Sequence, residues 1–351
     1  MQAVVYAGYG EPPVLTDAPE PECPSDGVVV AVRATGVCRS DWHAWKGHEQ
    51  VPLPQIPGHE LAGVITETGP DVTRWNPGAR VTVPFVCGCG RCEYCAVGEA
   101  QVCPHQTQPG FTGPGSYAER VALHAADLNL VALPDSVGFT AAASLGCRFA
   151  TAFRAVTVHG GVGPGEWLAV HGCGGVGLSA VQIGVALGAR VVAVDVAEAA
   201  LDAARRLGAQ AVVNSAGSGA SETAAAVREL TGGGAHVSLD AFGSAGTCAS
   251  SVRGLRRRGR HVQVGLLFGE AATPPIPMDV VTAQELAVYG SHGMPARDYP
   301  QLLSMLADGR LRPEELIGET IGLAQAPAAL AAMDEPAAAT GTGMTVVELP
   351  G

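Results

Sequence analysis

Residues 1 to about 148 alternate short β-rich runs with Gly and Pro punctuation. The runs GVVVAVRATGV, LAGVITETG and ARVTVPFV predict strands of a β-rich, barrel-like domain. The character changes near residue 149. WLAVHGCGGVGLSAVQIGVALGARVVAVDV predicts an apolar strand, a Gly-rich turn, a helix and a second apolar strand. AQAVVN, HVSLDAF, RHVQVG and LAVYGSH follow as further short apolar runs, with helical stretches such as AALDAARRLG and ETAAAVRELTG between them. That alternation predicts a parallel sheet covered by helices on both faces, an α/β architecture. After about residue 292, YPQLLSMLADG and AQAPAALAAM predict helices and GMTVVEL a closing strand. The Ala-rich stretch 324–339 reads as an ordinary helix with a Pro break, and no repeat of solenoid length is present.

Composition sharpens this picture without changing it. A chain of 351 residues is long enough for two domains, including one interrupted by the other. With 47% hydrophobic and only 15% charged residues, it has the makings of substantial cores rather than of a disordered chain. A formal charge of −12 disfavours nucleic acid and anionic membranes as partners. The basic run Arg256–Arg260 opposes that trend and reads as a solvated helix end or turn. The start, MQAVVYAGYG, lacks a basic segment followed by an apolar one, and no apolar run is long enough to span a bilayer. A cytoplasmic location is expected. Thiols stay reduced there, and clustered cysteines point to metal more than to disulfide.

Half of the ten cysteines lie between Cys87 and Cys103. Cys89, Cys92, Cys95 and Cys103 give the spacing C-x2-C-x2-C-x7-C on a Gly-containing loop. Four thiolates suit tetrahedral zinc and leave no open position, so the expected ion is structural. An iron–sulfur centre, a thiol redox pair and a loop of free thiols are the competing readings. Cys87 is left over and reads as a bystander, with competition as a fifth thiol ligand as its alternative.

Gly172, Gly174 and Gly177 form G-x-G-x-x-G, with Gly175 and Val176 inside it. The motif follows a predicted strand and opens a predicted helix, the context in which it binds a dinucleotide. The first glycine allows the tight turn, the second a close approach of pyrophosphate, and the third tight helix–strand packing. Asp195 ends the next strand, where a carboxylate accepts from both ribose hydroxyls and repels a 2′-phosphate, favouring NAD. A helix N-cap is the plainer role for Asp195. The earlier cluster HGGVGPGE precedes the strand and reads as a loop.

Three further segments, ATGVCRSDWHAWKG, IPGHELAG and ASLGCRFATAF, each carry one good zinc ligand: Cys38, His59 and Cys147. Two thiolates and one imidazole would leave a fourth position for water or substrate. Distance along the sequence does not show that they meet, and an ordinary structural role stands beside the catalytic one.

The Cys-Arg-Ser-Asp-x-His run, the Gly-His-Glu tripeptide, the four-cysteine lobe, the later Cys147 and the glycine fingerprint occur in one order along the whole chain. In this the chain resembles the zinc-dependent alcohol dehydrogenases of the medium-chain dehydrogenase/reductase superfamily. The resemblance implies a GroES-like catalytic domain from residues 1–148 and 293–351 around a Rossmann domain at 149–292. It implies catalytic zinc on Cys38, His59 and Cys147, with Glu60 beside the metal and Asp41 orienting His59. Ser40 matches the hydroxyl that takes the substrate proton, and His43 the base that relays it to solvent. Arg39 matches a pyrophosphate contact, while Thr151 and Val264 match further cofactor contacts. Trp42 and Phe85 fall where the substrate pocket is lined, with plain packing as their alternative; Trp45 and His48 are weaker candidates. The expected reaction is NAD-dependent interconversion of alcohols with aldehydes or ketones, with two zinc ions per chain.

Cys147 at the third ligand position favours the alcohol dehydrogenase branch over polyol enzymes, which tend to carry glutamate there. A threonine-type enzyme and a non-catalytic nucleotide-binding member remain as alternatives. One departure is Met344, standing about where the family often places a pyrophosphate-binding arginine. That leaves the task to Arg39 and implies a modest NAD affinity. The short segment between Cys103 and Cys147 resembles that of tetrameric bacterial members, so a homo-oligomer, with a tetramer favoured over a dimer, is expected.

Overall fold

The β-rich first third of the chain forms seven strands in a computed structural model that describes residues 1–335 and 343–350. They are β1 (Gln2–Val5), β2 (Val14–Asp17), β3 (Val28–Val37), β4 (Leu61–Thr68), β5 (Arg80–Thr82), β6 (Arg120–Leu123) and β7 (Val131–Ala132). The middle of the chain supplies β8 (Trp167–His171), β9 (Arg190–Asp195), β10 (Ala211–Asn214), β11 (Ala235–Asp240), β12 (Leu255–Gln263) and β13 (Ala287–Gly290). β14 (Ile317–Gly322) and β15 (Met344–Glu348) close the chain.

The chain divides into two units. One comprises Met1–Ala150 with the segments after Gly293, and the other Thr151–His292. In the first, a seven-stranded sheet runs β14-β15-β3-β4-β5-β7, with β6 also paired to β3 and β1-β2 forming a separate ribbon. All pairs in the larger sheet are antiparallel except β14–β15. Val28, Val30 and Val32 of β3, Leu61 and Ile65 of β4, and Val81 of β5 pack into one core with Tyr117. β14 carries no apolar alternation that would mark it as a strand. It is a sheet edge, mostly exposed, and its partner β15 supplies the pairing.

The β3–β4 register matters most for function. Thr35 faces Leu61 in an antiparallel pair, so the end of β3 lies beside the start of β4. Cys38 follows β3 and His59–Glu60 precede β4. The sheet therefore brings together two segments that are far apart in sequence.

The second unit is a six-stranded, wholly parallel sheet in the order β10-β9-β8-β11-β12-β13. Helices Gly175–Ala186, Glu198–Arg206, Ala220–Leu230 and Ala245–Arg253 connect successive strands from β8 to β12. The chain winds outward from β8 to β10, then returns to β11 and winds the other way. The switch point between β8 and β11 opens a crevice at the strands' C-terminal ends, where open α/β sheets bind ligands. β8 is buried throughout its length, as a central parallel strand must be.

Three sequence expectations meet a different or partial outcome. The basic run Arg256–Arg260 is not a helix end; it is the irregular start of β12, with Arg258 in the left-handed region at φ 58°. Its arginines are tethered one by one, Arg256 to His236, Arg258 to Glu285 and Arg260 to Glu166. ARVTVPFV yields only the three-residue β5. The Ala-rich stretch forms the helix Ala326–Ala332, and its last residues, 336–339, lie outside the described residues. Among the described residues no helix is long and apolar enough to cross a membrane.

Candidate active site and nucleotide turn

Cys38 sits at the N-cap of the helix Arg39–Trp45, which also carries Ser40, Asp41, Trp42 and His43. Asp41 is almost wholly buried, at 1% exposure, and is surrounded by donors. Its Oδ1 accepts from the Gly58 amide at 3.0 Å and from His59 Nδ1 at 2.9 Å. Its Oδ2 accepts from the Cys38 amide at 3.2 Å and the Tyr117 hydroxyl at 3.3 Å. One carboxylate thus caps the helix and fixes the imidazole with its Nδ1 hydrogen inward. Among the described residues, His59 Nε2 is buried with no hydrogen-bond partner.

A buried, orphaned ring nitrogen needs an explanation, and a cation is the simplest one. The donors around it fit that explanation. One ligand atom each from Cys38, His59, Glu60 and Cys147 lies within 4.8 Å of all the others. Soft sulfur and imidazole suit zinc. Cys147 rides on a π-helical turn, Leu145–Phe149, which is held to the preceding loop by the Phe85 amide donating to the Gly146 carbonyl at 3.0 Å. Gly146 has to be small, because a Cβ there would come within 3.2 Å of Glu60 Cα and of the Val83 carbonyl.

Electrostatics of the donor set favour a cation. A hydrogen bond from Cys147 and the nearby His59 hold the Cys38 thiol well below its ordinary range, and Cys147 is raised in turn. A bound divalent ion would displace the thiol protons. Burial alone would depress His59, but the Asp41 carboxylate and Cys38 raise it.

Glu60 is the fourth member, and it is already engaged. Its Oε1 accepts from the Arg148 amide and Nε, both at 3.0 Å, and its Oε2 pairs with the same guanidinium. Both groups are buried, at 0% and 8% exposure. Arg148 was not singled out from sequence. Its position directly after Cys147 was the only available signal.

The residues expected around the site are dispersed. Phe85 stands edge-on to the His59 ring at 6.1 Å, as does Phe111, unmarked in the sequence, at 5.3 Å. Trp42 keeps other company: its Nε1 donates to Asp334 at 2.7 Å, and its ring meets Arg39, His43 and His48. Arg39 donates to the Met333 carbonyl at 2.6 Å. His43 Nδ1 lies 2.9 Å from His48 Nδ1. Trp45 is buried in a cluster with Tyr6, Val51 and Phe111. Met344 is buried at 2% exposure within β15, a packing position.

In the second cysteine cluster, the sulfurs of Cys89, Cys92, Cys95 and Cys103 all lie within 4.8 Å of one another. Cys92 is 3.5 Å from Cys95 and 3.6 Å from Cys103. These separations exceed a disulfide bond of about 2.05 Å but approach the edges of a tetrahedron with metal–sulfur bonds of about 2.3 Å. The Arg91 amide helps push Cys89 down to about 6, so a thiolate is accessible near neutrality. Arg297 anchors the lobe by donating to the Val97 carbonyl and pairing with Glu99. Cys87 is not one of the four; it is a buried core thiol that burial pushes up to about 12.

In the other unit, Gly172 takes φ +88°, and a Cβ on Gly177 would lie 1.8 Å from the Gly172 carbonyl oxygen. Gly174 caps the helix Gly175–Ala186, whose first amides, including those of Gly175, Val176 and Gly177, have no intrahelical acceptor. Asp195 Oδ2 accepts from the Cys173 amide at 2.6 Å, tying the end of β9 to the turn. Its Oδ1 accepts from the Ala197 amide at 2.9 Å, but the N-cap of the helix Glu198–Arg206 is Ala197 and not Asp195. Val264 follows β12, its amide donating to Asp240. Thr151 is buried at 7% exposure with no partner for its hydroxyl.

Family comparisons agree with this arrangement. The alcohol dehydrogenase GroES-like domain model matches residues 24–135, and the zinc-binding dehydrogenase model matches 175–308. An alcohol dehydrogenase of Geobacillus stearothermophilus is 36% identical over 315 residues, covering 89% of this chain and 90% of that protein. An NAD-dependent alcohol dehydrogenase of Sulfurisphaera tokodaii is 33% identical over 343 residues, covering 94% and 95%. The solved alcohol dehydrogenase of Thermus sp. ATN1 matches with a TM-score of 0.91 at 27% identity, over 100% of both chains. A GroES-like unit and a Rossmann unit, with zinc-type donors in the former, define a zinc-binding dehydrogenase. The chain belongs to the zinc-dependent alcohol dehydrogenases of the medium-chain dehydrogenase/reductase superfamily.

Proposed function

We propose that the protein interconverts alcohols with aldehydes or ketones, using NAD and two zinc ions per chain, one catalytic and one structural. The observation that carries this reading is the orphaned His59 Nε2 facing the Cys38 and Cys147 sulfurs. Three ligands leave one position for substrate, whereas the four thiols of the Cys89–Cys103 lobe leave none. When bound, zinc supplies Lewis acidity that lowers the pKa of an alcohol hydroxyl, and NAD accepts the hydride.

The chain's own residues do the rest. Cys38, Cys147 and His59 Nε2 would hold the ion, and Asp41 would keep the imidazole in the binding tautomer. Arg148 offsets the charge of Glu60 beside it. Ser40 and His43, three residues apart on one helix face, take the hydroxyl proton and pass it outward. Phe85 and Phe111 keep the His59 side of the site apolar, and Trp42 belongs to the relay side. Gly172, Gly174, Gly175, Val176 and Gly177 receive the pyrophosphate, Arg39 adds a cation, and Asp195 holds the ribose. Val264 and Thr151 complete the cofactor site; a buried hydroxyl without a partner supports Thr151 as a ligand contact.

A homo-oligomer, with a tetramer favoured, belongs to the same reading. Its support is β13, a sheet edge with Val288 and Tyr289 exposed. Ten free thiols support a reducing, cytoplasmic setting.

Zinc-loaded protein should form NADH from at least one of a panel of primary and secondary alcohols. Cys147→Ala should abolish this while NADH binding survives. Absence of turnover across the panel, or full activity in C147A, would contradict the reading. Asp195→Ser should shift the NAD-to-NADP preference by about tenfold towards NADP, through loss of a charge-assisted contact and of repulsion; an unchanged ratio in steady-state kinetics would misplace the ribose.

A further inference from the structure

His48 follows the Arg39–Trp45 helix, five residues after His43, and its amide donates to the His43 carbonyl at 2.9 Å. That closure brings the two rings together: their Nδ1 atoms are 2.9 Å apart, with centroids 5.2 Å apart and planes tilted by 49°. Two ring nitrogens at this distance share one hydrogen, one donating and the other accepting. Trp42 stands edge-on to both rings, at 4.9 and 5.3 Å, and is itself pinned by its bond to Asp334. The pair is therefore held in place rather than meeting by chance. His43 is half-buried, whereas His48 is exposed.

We propose that His48 is the solvent end of the proton path, receiving from His43 the proton that leaves the alcohol. This rests on the reading of Ser40 and His43 as the inner relay. The exchange balances with one proton. His43 takes the incoming proton at Nε2 and gives up its Nδ1 hydrogen to His48 Nδ1. His48 then releases its Nε2 hydrogen to water, and both rings end as neutral tautomers. Reorientation or the reverse transfer resets them before the next turnover. His48 acts through His43, so it is a positioning and proton-sharing residue and touches neither substrate nor cofactor.

The surroundings favour passing a proton on over storing it. Burial, with His48 and Arg39 alongside, pushes His43 down to about 4, against a smaller opposite pull from Cys38. Lys46 and Glu49 are charged neighbours in sequence, and Asp334, on the turn after the Ala326–Ala332 helix, reaches Trp42 beside the pair. Asp334 is occupied by Lys46 and Trp42.

The test compares His48→Phe, His48→Gln and His43→Gln in the zinc-loaded enzyme. It follows alcohol oxidation across pH 5.5–9 at several buffer concentrations, with and without added imidazole. For H48F we expect kcat to fall by about tenfold near neutrality, with KM, zinc content and NADH binding unchanged, and activity restored by imidazole or concentrated buffer. H48Q should show the same dependence on buffer. If H48F keeps the wild-type kcat, pH profile and indifference to buffer while H43Q is impaired, His48 has no part in the path and the proposal falls. If H43Q itself behaves as wild type, the inner relay is wrong and the proposal falls with it.

Discussion

A single buried carboxylate organises the candidate metal site. Asp41 answers four donors from three places in the chain, the Cys38 amide, the neighbouring Gly58 and His59, and the Tyr117 hydroxyl. The Glu60–Arg148 pair works differently, as two buried charges that justify each other. Removing one partner of such a pair strands the other, which typically costs about 3–5 kcal/mol. Arg148→Met should therefore lower the unfolding free energy by about that much in denaturant titration, and the double variant with Glu60→Gln should recover most of it. Equal stability of wild type and R148M would mean that the pair contributes nothing. At this scale the donors that converge were legible as candidates in the sequence, because Cys38, His59 and Cys147 each sit in a short, chemically distinctive run. Arg148 had only its place directly after Cys147 to mark it, and Tyr117 and Phe111 had no local mark. They reach the site only through strand register and loop packing.

At the scale of elements, periodicity served the parallel sheet best. β8 and β9 are buried strands, and continuous apolar runs announce such strands. Edge strands such as β14 gave no warning, because exposure relaxes the pattern. Under the Ala245–Arg253 helix the sheet carries an unusual polar face. His171 is wholly buried, its Nδ1 3.1 Å from the Ser250 hydroxyl, and His261 meets Ser251 at 2.8 Å. Burial, with the other histidine nearby, pushes His171 down to about 3, and burial lowers His261 as well. An imidazole depressed in the fold takes up its proton more readily when unfolded. Its contribution is therefore intact above about pH 6.5 and lost as pH falls towards the folded value. Each such histidine costs up to about 1.4 kcal/mol per pH unit in that window. The melting temperature should fall between pH 7 and pH 5, and less steeply in His171→Asn. Parallel pH dependence in variant and wild type would contradict this.

The whole molecule is a division of labour between two units. One, from both ends of the chain, gathers the metal donors; the other, from Thr151–His292, is a nucleotide-binding sheet. The change of pattern near residue 149 announced the second unit, but nothing in the periodicity announced that the segment after residue 292 rejoins the first. That return is made by β15, which pairs antiparallel with β3, a partner about 300 residues earlier. The ion expected at Cys38, His59 and Cys147 is central to the proposed function. Anomalous diffraction at the zinc edge tests it most directly. The account predicts two peaks per chain, one among Cys89, Cys92, Cys95 and Cys103, and one about 2.0–2.3 Å from His59 Nε2 and the sulfurs of Cys38 and Cys147. A single peak confined to the four-cysteine lobe, in crystals grown with zinc present, would contradict it.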